Sequence, residues 1–355
     1  MKIAFLVHHI GRTGGVNNMV LDMTSLFMQK GHDVKLFYFS DHETKMDFPC
    51  QTEKISFSKP IDFRQFDVVH CHGIRPNAYV LRHKPFRKIS TRFVATIHCY
   101  VFQDFADLYG RVKGFLFSWL FLLSFLRMDT LVALSKDALK YYRRFYPFKD
   151  LTYAYNTRIM DMQQDLSEEE KKEVLDFKQN SNLIGMNCVL ILRKGLDVMM
   201  KALLKLPSEY KLMVLGGYPS AEFEKVCNQL KEQLEGRVLF LGMRKDAYRY
   251  LPYYDVYVMA SRSEGFPLSL VEAAAYGKRI ASTDLAQFKE IFTNDEVAYC
   301  HPGDVDGLVQ AIARANKEMQ GAEDRVFEKY QGLLSPDRFY ERYLSIYQKT
   351  NSLDY

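Results

Sequence analysis

The sequence predicts an α/β protein built from two doubly wound parallel-sheet domains, and three observations carry that prediction. Short apolar runs alternate with helically spaced apolar residues along most of the 355 residues, which is the pattern of parallel sheets covered by helices on both faces. The rhythm breaks at the charged stretch Glu168-Glu169-Glu170-Lys171-Lys172-Glu173 and then restarts. At roughly 150 residues per domain the length suits two domains. The expected division is 1–160 and 161–335, with a last helix over about 336–355 packing back on the first domain.

The elements follow in order. Lys2–Val7 reads as a buried strand. Val16–Gln29 reads as a helix, with Val16, Met19, Val20, Met23, Leu26 and Phe27 at helical spacing and Gly31 at its end. Strands are expected at Asp33–Phe39, Asp67–His70, Phe93–Ile97 and Thr130–Leu134, with an apolar helix at Lys113–Met128. After the charged stretch come an apolar segment at Leu183–Leu192, a helix at 195–205, and strands at Lys211–Leu215, Val238–Leu241, Asp255–Ala260 and Arg279–Ser282. In such sheets ligands bind beyond the carboxyl ends of the strands, so the region between the domains is the expected site.

Composition narrows the function. Hydrophobic residues make up 48% and charged residues 26% of the chain, which excludes disordered, collagen-like and disulfide-scaffold classes. The apolar start is too short for a secretory leader. Gly114–Leu126, an uncharged run of thirteen residues, falls short of the ~20 needed to cross a bilayer. Six scattered cysteines with no Cys-x-x-Cys pair fit reduced thiols and a cytoplasmic location, with peripheral contact at the inner membrane face open. The net charge of +5 divides unevenly. Residues 1–160 hold 23 Lys and Arg against 13 Asp and Glu, and the remainder hold 25 against 30. A basic half joined to an acidic half points to an anionic partner for the first.

The segment Ser261-Arg262-Ser263-Glu264-Gly265-Phe266-Pro267-Leu268-Ser269-Leu270-Val271-Glu272, continuing through Ala273-Ala274-Ala275-Tyr276-Gly277, carries the chemistry. A strand runs into a polar loop and then an Ala-rich helix ended by Gly277. Gly265 allows close backbone approach, and Pro267 suits the first helical turn. The free N–H groups at that helix start form an anion site. Glu272, one turn inside the helix, is placed for sugar hydroxyls rather than phosphate.

Glu264 and Glu272 form an E-x7-E pair, and with it the chain resembles the family-4 retaining glycosyltransferases of GT-B architecture, two Rossmann-like domains facing a cleft. Asp255–Ser261, Gly277–Asp284, Glu290-Ile291, Gly14-Gly15-Val16, Asp67–Gly73, Thr96-Ile97-His98, Lys194-Gly195 and Gly216-Gly217-Tyr218-Pro219 extend the likeness over most of the chain. The resemblance implies that Glu264 holds the transferred sugar and that the backbone of Gly265, Phe266 and Leu268, beside Pro267, caps the donor diphosphate. It further implies that Glu272 binds ribose, that Lys194 neutralises the departing diphosphate, that Gly15 approaches donor and acceptor, and that His98 contacts the donor near the reacting sugar. Two departures stand out. Gly185 is followed by Met186-Asn187-Cys188 where relatives carry an Arg, so that either Arg193 and Lys194 share that role or one cation is lost. Asn17 stands where many relatives have Glu.

The implied activity is retaining transfer of a hexose from a nucleotide-diphosphate sugar, expected to be a UDP-sugar, to a glycan or lipid-linked acceptor in polysaccharide assembly. No metal or other cofactor and no nucleic acid is expected. A nucleotide-sugar epimerase of the same fold, or a non-enzymatic protein for anionic surfaces, remains the alternative. His70-Cys71-His72 has metal-like spacing, but on a strand the histidines face one side and the cysteine the other, so structural roles are expected. The aromatic stripe Phe115–Phe125 reads first as core, while its flanks Arg111, Lys113 and Arg127 leave membrane-surface contact open. The same ambiguity attends Arg82–Lys88 and Tyr141–Tyr146.

Overall fold

A computed structural model describes residues 1–11, 15–218 and 220–349. The expectations placed on Gly14 and Pro219 lie outside them. The chain divides into two units, one of residues 1–158 together with the segment from Pro336 onward, the other of 159–335.

The first unit is built in the order β1 (Lys2–His9), α1 (Gly15–Gln29), β2 (Asp33–Ser40), β3 (Gln51–Lys54), β4 (Val68–His72), α2 (Ile74–His83), β5 (Arg92–Ile97), α3 (Val101–Tyr109), α4 (Arg111–Ser124), β6 (Thr130–Ala133), α5 (Lys136–Arg143) and β7 (Asp150–Tyr153). Its seven parallel strands run β3-β2-β1-β4-β5-β6-β7. The central strands are buried on both faces, as β5 shows over all six residues, which is why they read as continuous apolar runs. The chain order reverses between β1 and β4, where Val7 pairs with His72. That is the switch point at which doubly wound sheets bind ligands.

The second unit is built as α6 (Glu168–Lys178), β8 (Asn182–Asn187), α7 (Leu196–Lys205), β9 (Tyr210–Leu215), α8 (Ala221–Gln233), β10 (Val238–Gly242), β11 (Val256–Met259), α9 (Leu268–Ala275), β12 (Ile280–Thr283), α10 (Ala286–Lys289), β13 (Val297–Cys300), α11 (Val305–Lys317) and α12 (Ala322–Lys329). Its six parallel strands run β10-β9-β8-β11-β12-β13, with the switch point between β8 and β11. The charged stretch after residue 167 is α6. Ser167 and Glu170 close a reciprocal capping box on it, which satisfies two otherwise unpaired N–H groups.

A last helix, α13 (Pro336–Gln348), packs on the first unit. Tyr347 meets the ring of Phe27 on α1 at 5.2 Å and hydrogen-bonds buried His70 Nδ1 at 2.7 Å. His70 and His72 lie on one face of β4 over Phe5, and Cys71 turns into the opposite core. Burial pushes both imidazoles well below their ordinary range.

One expectation is overturned. The aromatic stripe of α4 is not core. Phe115, Leu116, Phe117, Trp119, Leu120, Leu123 and the following Leu126 are exposed, and of the aromatics only Phe121 and Phe125 turn inward. Gly114 and Ser118 decide this by facing α3. A Cβ on Gly114 would stand 2.4 Å from the Phe105 carbonyl oxygen, and Ser118 Oγ donates to Val101 O at 3.1 Å. Gly114 and Ser118 therefore lie against α3, Phe121, Leu122 and Phe125 turn to the core, and the remaining large residues stay outside.

Candidate active site

In the second unit, the carboxyl ends of β8 and β11 carry the site. From β11 the chain continues through Ala260 and Ser261 to Glu264. From β8 it continues through Cys188 to a single 3-10 turn, Leu192–Lys194, and then α7. The two loops are fastened together. Arg262 N donates to Arg193 O at 2.7 Å. The Arg262 guanidinium grips Asp197 on α7 with both nitrogens, at 2.9 and 2.8 Å, a fork that fixes orientation as well as distance. Gly195 permits the close approach, since φ is +74° and a Cβ would lie 2.0 Å from Ala260 O.

Within that frame Lys194 Nζ meets Glu264 Oε1 at 2.5 Å. Glu264 is buried, and the same oxygen accepts from Ser261 Oγ at 2.6 Å. Ser261 is itself held through its carbonyl by Thr283 Oγ1 at 2.7 Å. Gln287 Nε2 donates to the Glu264 carbonyl at 2.6 Å. The glutamate is thus positioned from β11, β12 and α10 at once. Ser261, Thr283 and Gln287 were not singled out as site residues from the sequence, although Ser261 and Thr283 lie inside the stretches that carry the resemblance.

Phe266 and Pro267 are buried beside it, and Gly265 and Leu268 are partly exposed. Pro267 takes the cap position in extended backbone, one residue ahead of α9, rather than the first helical turn. The Leu268 and Ser269 N–H groups open the helix and have no carbonyl partner within it. Glu272, partly exposed, is the fifth residue of α9. Gly277 at φ +54° ends the helix, its N–H bonded to Ala274 O and that of Lys278 to Ala273 O. Burial pushes the neighbouring Cys188 thiol up to about 12, with Lys194 opposing and Glu264 adding to the shift.

The position after Gly185 supplies no cation. Met186 is sealed in the core, a Cβ on Gly185 would collide with the Tyr254 ring, and Asn187 Oδ1 is held by Tyr254 OH at 2.9 Å. Lys194 supplies positive charge near this strand end, where it bears on the Cys188 thiol.

Gly15 and His98 belong to the first unit. Gly15 opens α1. His98 directly follows β5, its Nε2 lying 3.1 Å from His72 Nδ1, and burial lowers it to about 4. Asn17 is buried and donates to Gly11 O at 2.8 Å, so it braces the strand-end loop. Among the described residues no group of three or more His, Cys, Asp or Glu side chains is arranged to hold a metal ion, and no helix is long and apolar enough to cross a membrane.

Comparison with known proteins bears on the whole chain. Residues 13–157 match the model of Glycosyltransferase Family 4, and residues 183–317 match that of Glycosyl transferases group 1. The chain belongs to the family-4 glycosyltransferases. This family-4 chain is 28% identical, over 98% of both chains, to an O-antigen biosynthesis glycosyltransferase, WclY, of Escherichia coli. It is 31% identical, over 36% of its own length and 34% of the relative's, to N,N'-diacetylbacillosaminyl-diphospho-undecaprenol alpha-1,3-N-acetylgalactosaminyltransferase of Campylobacter jejuni. The structure of Anabaena HepE in complex with UDP-glucose is similar at a TM-score of 0.75 and 16% identity, over 98% of this chain and 99% of that one. The fold of this glycosyltransferase is accordingly the Rossmann-like GT-B type.

Proposed function

We propose that the enzyme is a retaining hexosyltransferase. It takes its sugar from a nucleoside-diphosphate sugar, a UDP-sugar by preference, and passes it to a glycan or lipid-linked acceptor of surface polysaccharide at the cytoplasmic face of a membrane. The observation that carries this reading is the buried Glu264–Lys194 pair at the switch point, directly ahead of α9. Both donors to Glu264 converge on Oε1, which leaves the other oxygen for a sugar hydroxyl. Lys194 and Arg193 neutralise the diphosphate as it becomes the leaving group, where charge develops and stabilisation counts most. The backbone at Gly265, Phe266 and Leu268 adds donors at the helix start, and Glu272 accepts from ribose. These cations and dipoles do the electrostatic work without a metal. In the first unit Gly15 and neutral His98 serve the reacting sugar as hydrogen-bonding groups. The name of the Campylobacter relative supports a polyprenyl-linked acceptor, that of the Escherichia coli relative supports surface-polysaccharide assembly, and the HepE complex supports UDP.

The test is a panel of UDP-, GDP- and ADP-sugars offered to the purified protein and to Glu264→Gln and Lys194→Ala. Consumption confined to one donor class is expected. Both variants should lose transfer by about 10²–10³-fold, the usual cost of removing one charge-stabilising group. Binding of no nucleotide sugar at all would overturn the reading. An altered sugar recovered without acceptor would assign an epimerase instead.

A further inference from the structure

The polarity of α4 is reversed for a surface helix. Val112, Phe115, Leu116, Trp119, Leu120 and Leu123 stand exposed at i, i+3, i+4, i+7, i+8 and i+11, which is one stripe of an α-helix. Val112 is 77% and Trp119 45% exposed. Leu126 and a fully exposed Phe86 extend the stripe at one end, and Leu108 and Tyr109 at the other. No charged residue occurs from Gly114 to Leu126. Monomeric proteins rarely expose contiguous apolar patches beyond a few hundred Å² without using them.

Charge surrounds this face. Arg111 and Lys113 flank its start, and Arg127 lies over the Phe86 ring at 4.5 Å beside exposed Arg87 and Lys88. Phe145, just past α5, meets Trp119 at 6.2 Å and Phe102 at 5.5 Å. There α5 adds a shallow basin of about 470 Å³ lined by Lys136, Leu139, Lys140, Arg143 and Arg144. On the acidic side, Asp107 of α3 is exposed, Asp104 is buried, and Asp129 is engaged by Lys84.

We propose that α4 lies in the plane of an anionic bilayer, its Phe–Leu–Trp stripe immersed at the headgroup–acyl boundary and its basic rim on lipid phosphates. A 14-residue helix is ~21 Å long and cannot span a ~30 Å hydrocarbon core, so the helix rests in the interface rather than crossing it. Aromatic side chains of this kind are favoured at that depth, and each Lys or Arg near an anionic surface adds to the attraction. A second copy fits poorly. A two-fold pairing through this face would set the same basic rims against each other, whereas lipid headgroups neutralise them. The proposal deepens the lipid-linked-acceptor reading and rests on it only for the purpose of docking. Its test reads binding alone, so either can fail without the other.

Trp119 is the sole tryptophan and lies on the stripe, which makes it the reporter. The full-length protein is mixed with phosphatidylglycerol–phosphatidylcholine vesicles and, separately, with phosphatidylcholine vesicles. On the anionic vesicles the Trp119 emission should shift to the blue and be quenched by brominated acyl chains. The variant Leu116→Ser/Leu120→Ser, with unchanged circular dichroism, should lower the partition coefficient by about tenfold or more. Arg111→Gln/Lys113→Gln should lower it by roughly tenfold to thirtyfold on anionic vesicles alone, at ~1 kcal/mol per cation. Emission unmoved by anionic vesicles would overturn the proposal. So would a blue shift that grows with protein concentration alone and accompanies a sedimenting dimer, which would give the face to a second copy.

Discussion

Substitution at the Lys194–Glu264 pair should separate stability from catalysis. At 2.5 Å the two charges attract by about 7 kcal/mol for an effective dielectric of ~20, and desolvation cancels most of that. The Glu264 side chain is 6% exposed and that of Lys194 17%. The glutamate is therefore the costlier partner to strand. Lys194→Met leaves a buried carboxylate with Ser261 alone and should destabilise by about 3–5 kcal/mol. Glu264→Gln leaves a lysine that can still reach water and should cost about 1–2 kcal/mol. The double variant, with no charge left to bury, should recover ~1–3 kcal/mol of the summed losses. In urea, with a slope of ~2 kcal/mol per molar, Lys194→Met should move the midpoint of the second unit down by ~1.5–2.5 M, and the double variant should regain part of it. Far-ultraviolet circular dichroism follows this transition, and Trp119 reports the first unit separately. Transfer activity should be lost in all three variants and not return in the double. Additive losses in the cycle would refute the coupling. Recovered activity in the double variant would refute the assignment of the pair to the reaction.

Other consequences can be measured as directly. Gly195→Ala should destabilise the second unit by ~2–4 kcal/mol and weaken nucleotide binding, since its Cβ meets the Ala260 carbonyl oxygen at 2.0 Å and its backbone is left-handed; unchanged urea midpoint and affinity would contradict the geometry. Burial lowers His70, His72 and His98 in the folded chain, so the unfolded chain takes up protons first. Stability is then whole above pH ~6.5 and falls below it, with a slope approaching ~4 kcal/mol per pH unit for three groups; a pH-independent melting temperature between 7.5 and 5 would count against buried neutral rings. Tyr347→Phe removes the 2.7 Å bond to His70 and should cost ~1–2 kcal/mol in the first unit, read by Trp119 fluorescence in denaturant. Cys188, raised to about 12, should resist iodoacetamide at pH 8 in the native protein and react once urea unfolds it.

The parallel sheets were legible because their central strands hold short unbroken apolar runs, as in Ile3–Val7 and Phe93–Ala95. Of the edge strands only β10, expected at Val238–Leu241, was legible. Gln51-Thr52-Glu53-Lys54 is fully exposed and polar, so neither alternation nor an apolar run marks it. The Glu264 segment announced itself through spacing, yet the contacts by which Thr283, on β12, and Gln287, on α10, support it are long-range and leave no local pattern. The absence of an arginine after Gly185 could be read, but its cause could not, because the packing of Tyr254 against Gly185 is a long-range match of ring to missing Cβ. In α4 the pattern was visible and its facing was not. A period of 3.6 defines a stripe but not which side touches protein. Gly114 and Ser118 settle that through contacts with α3.

The return of α13 to the first unit means that this unit is written in two pieces with the whole of 159–335 inserted between them. During synthesis the seven-stranded sheet emerges early, yet the face that receives Tyr343 and Tyr347, with His70 and Phe27 upon it, has no cover until α13 has been made. The inserted unit, contiguous in sequence, can finish first. A chain halted just after Ser335 would therefore carry one complete unit and one that still lacks a wall.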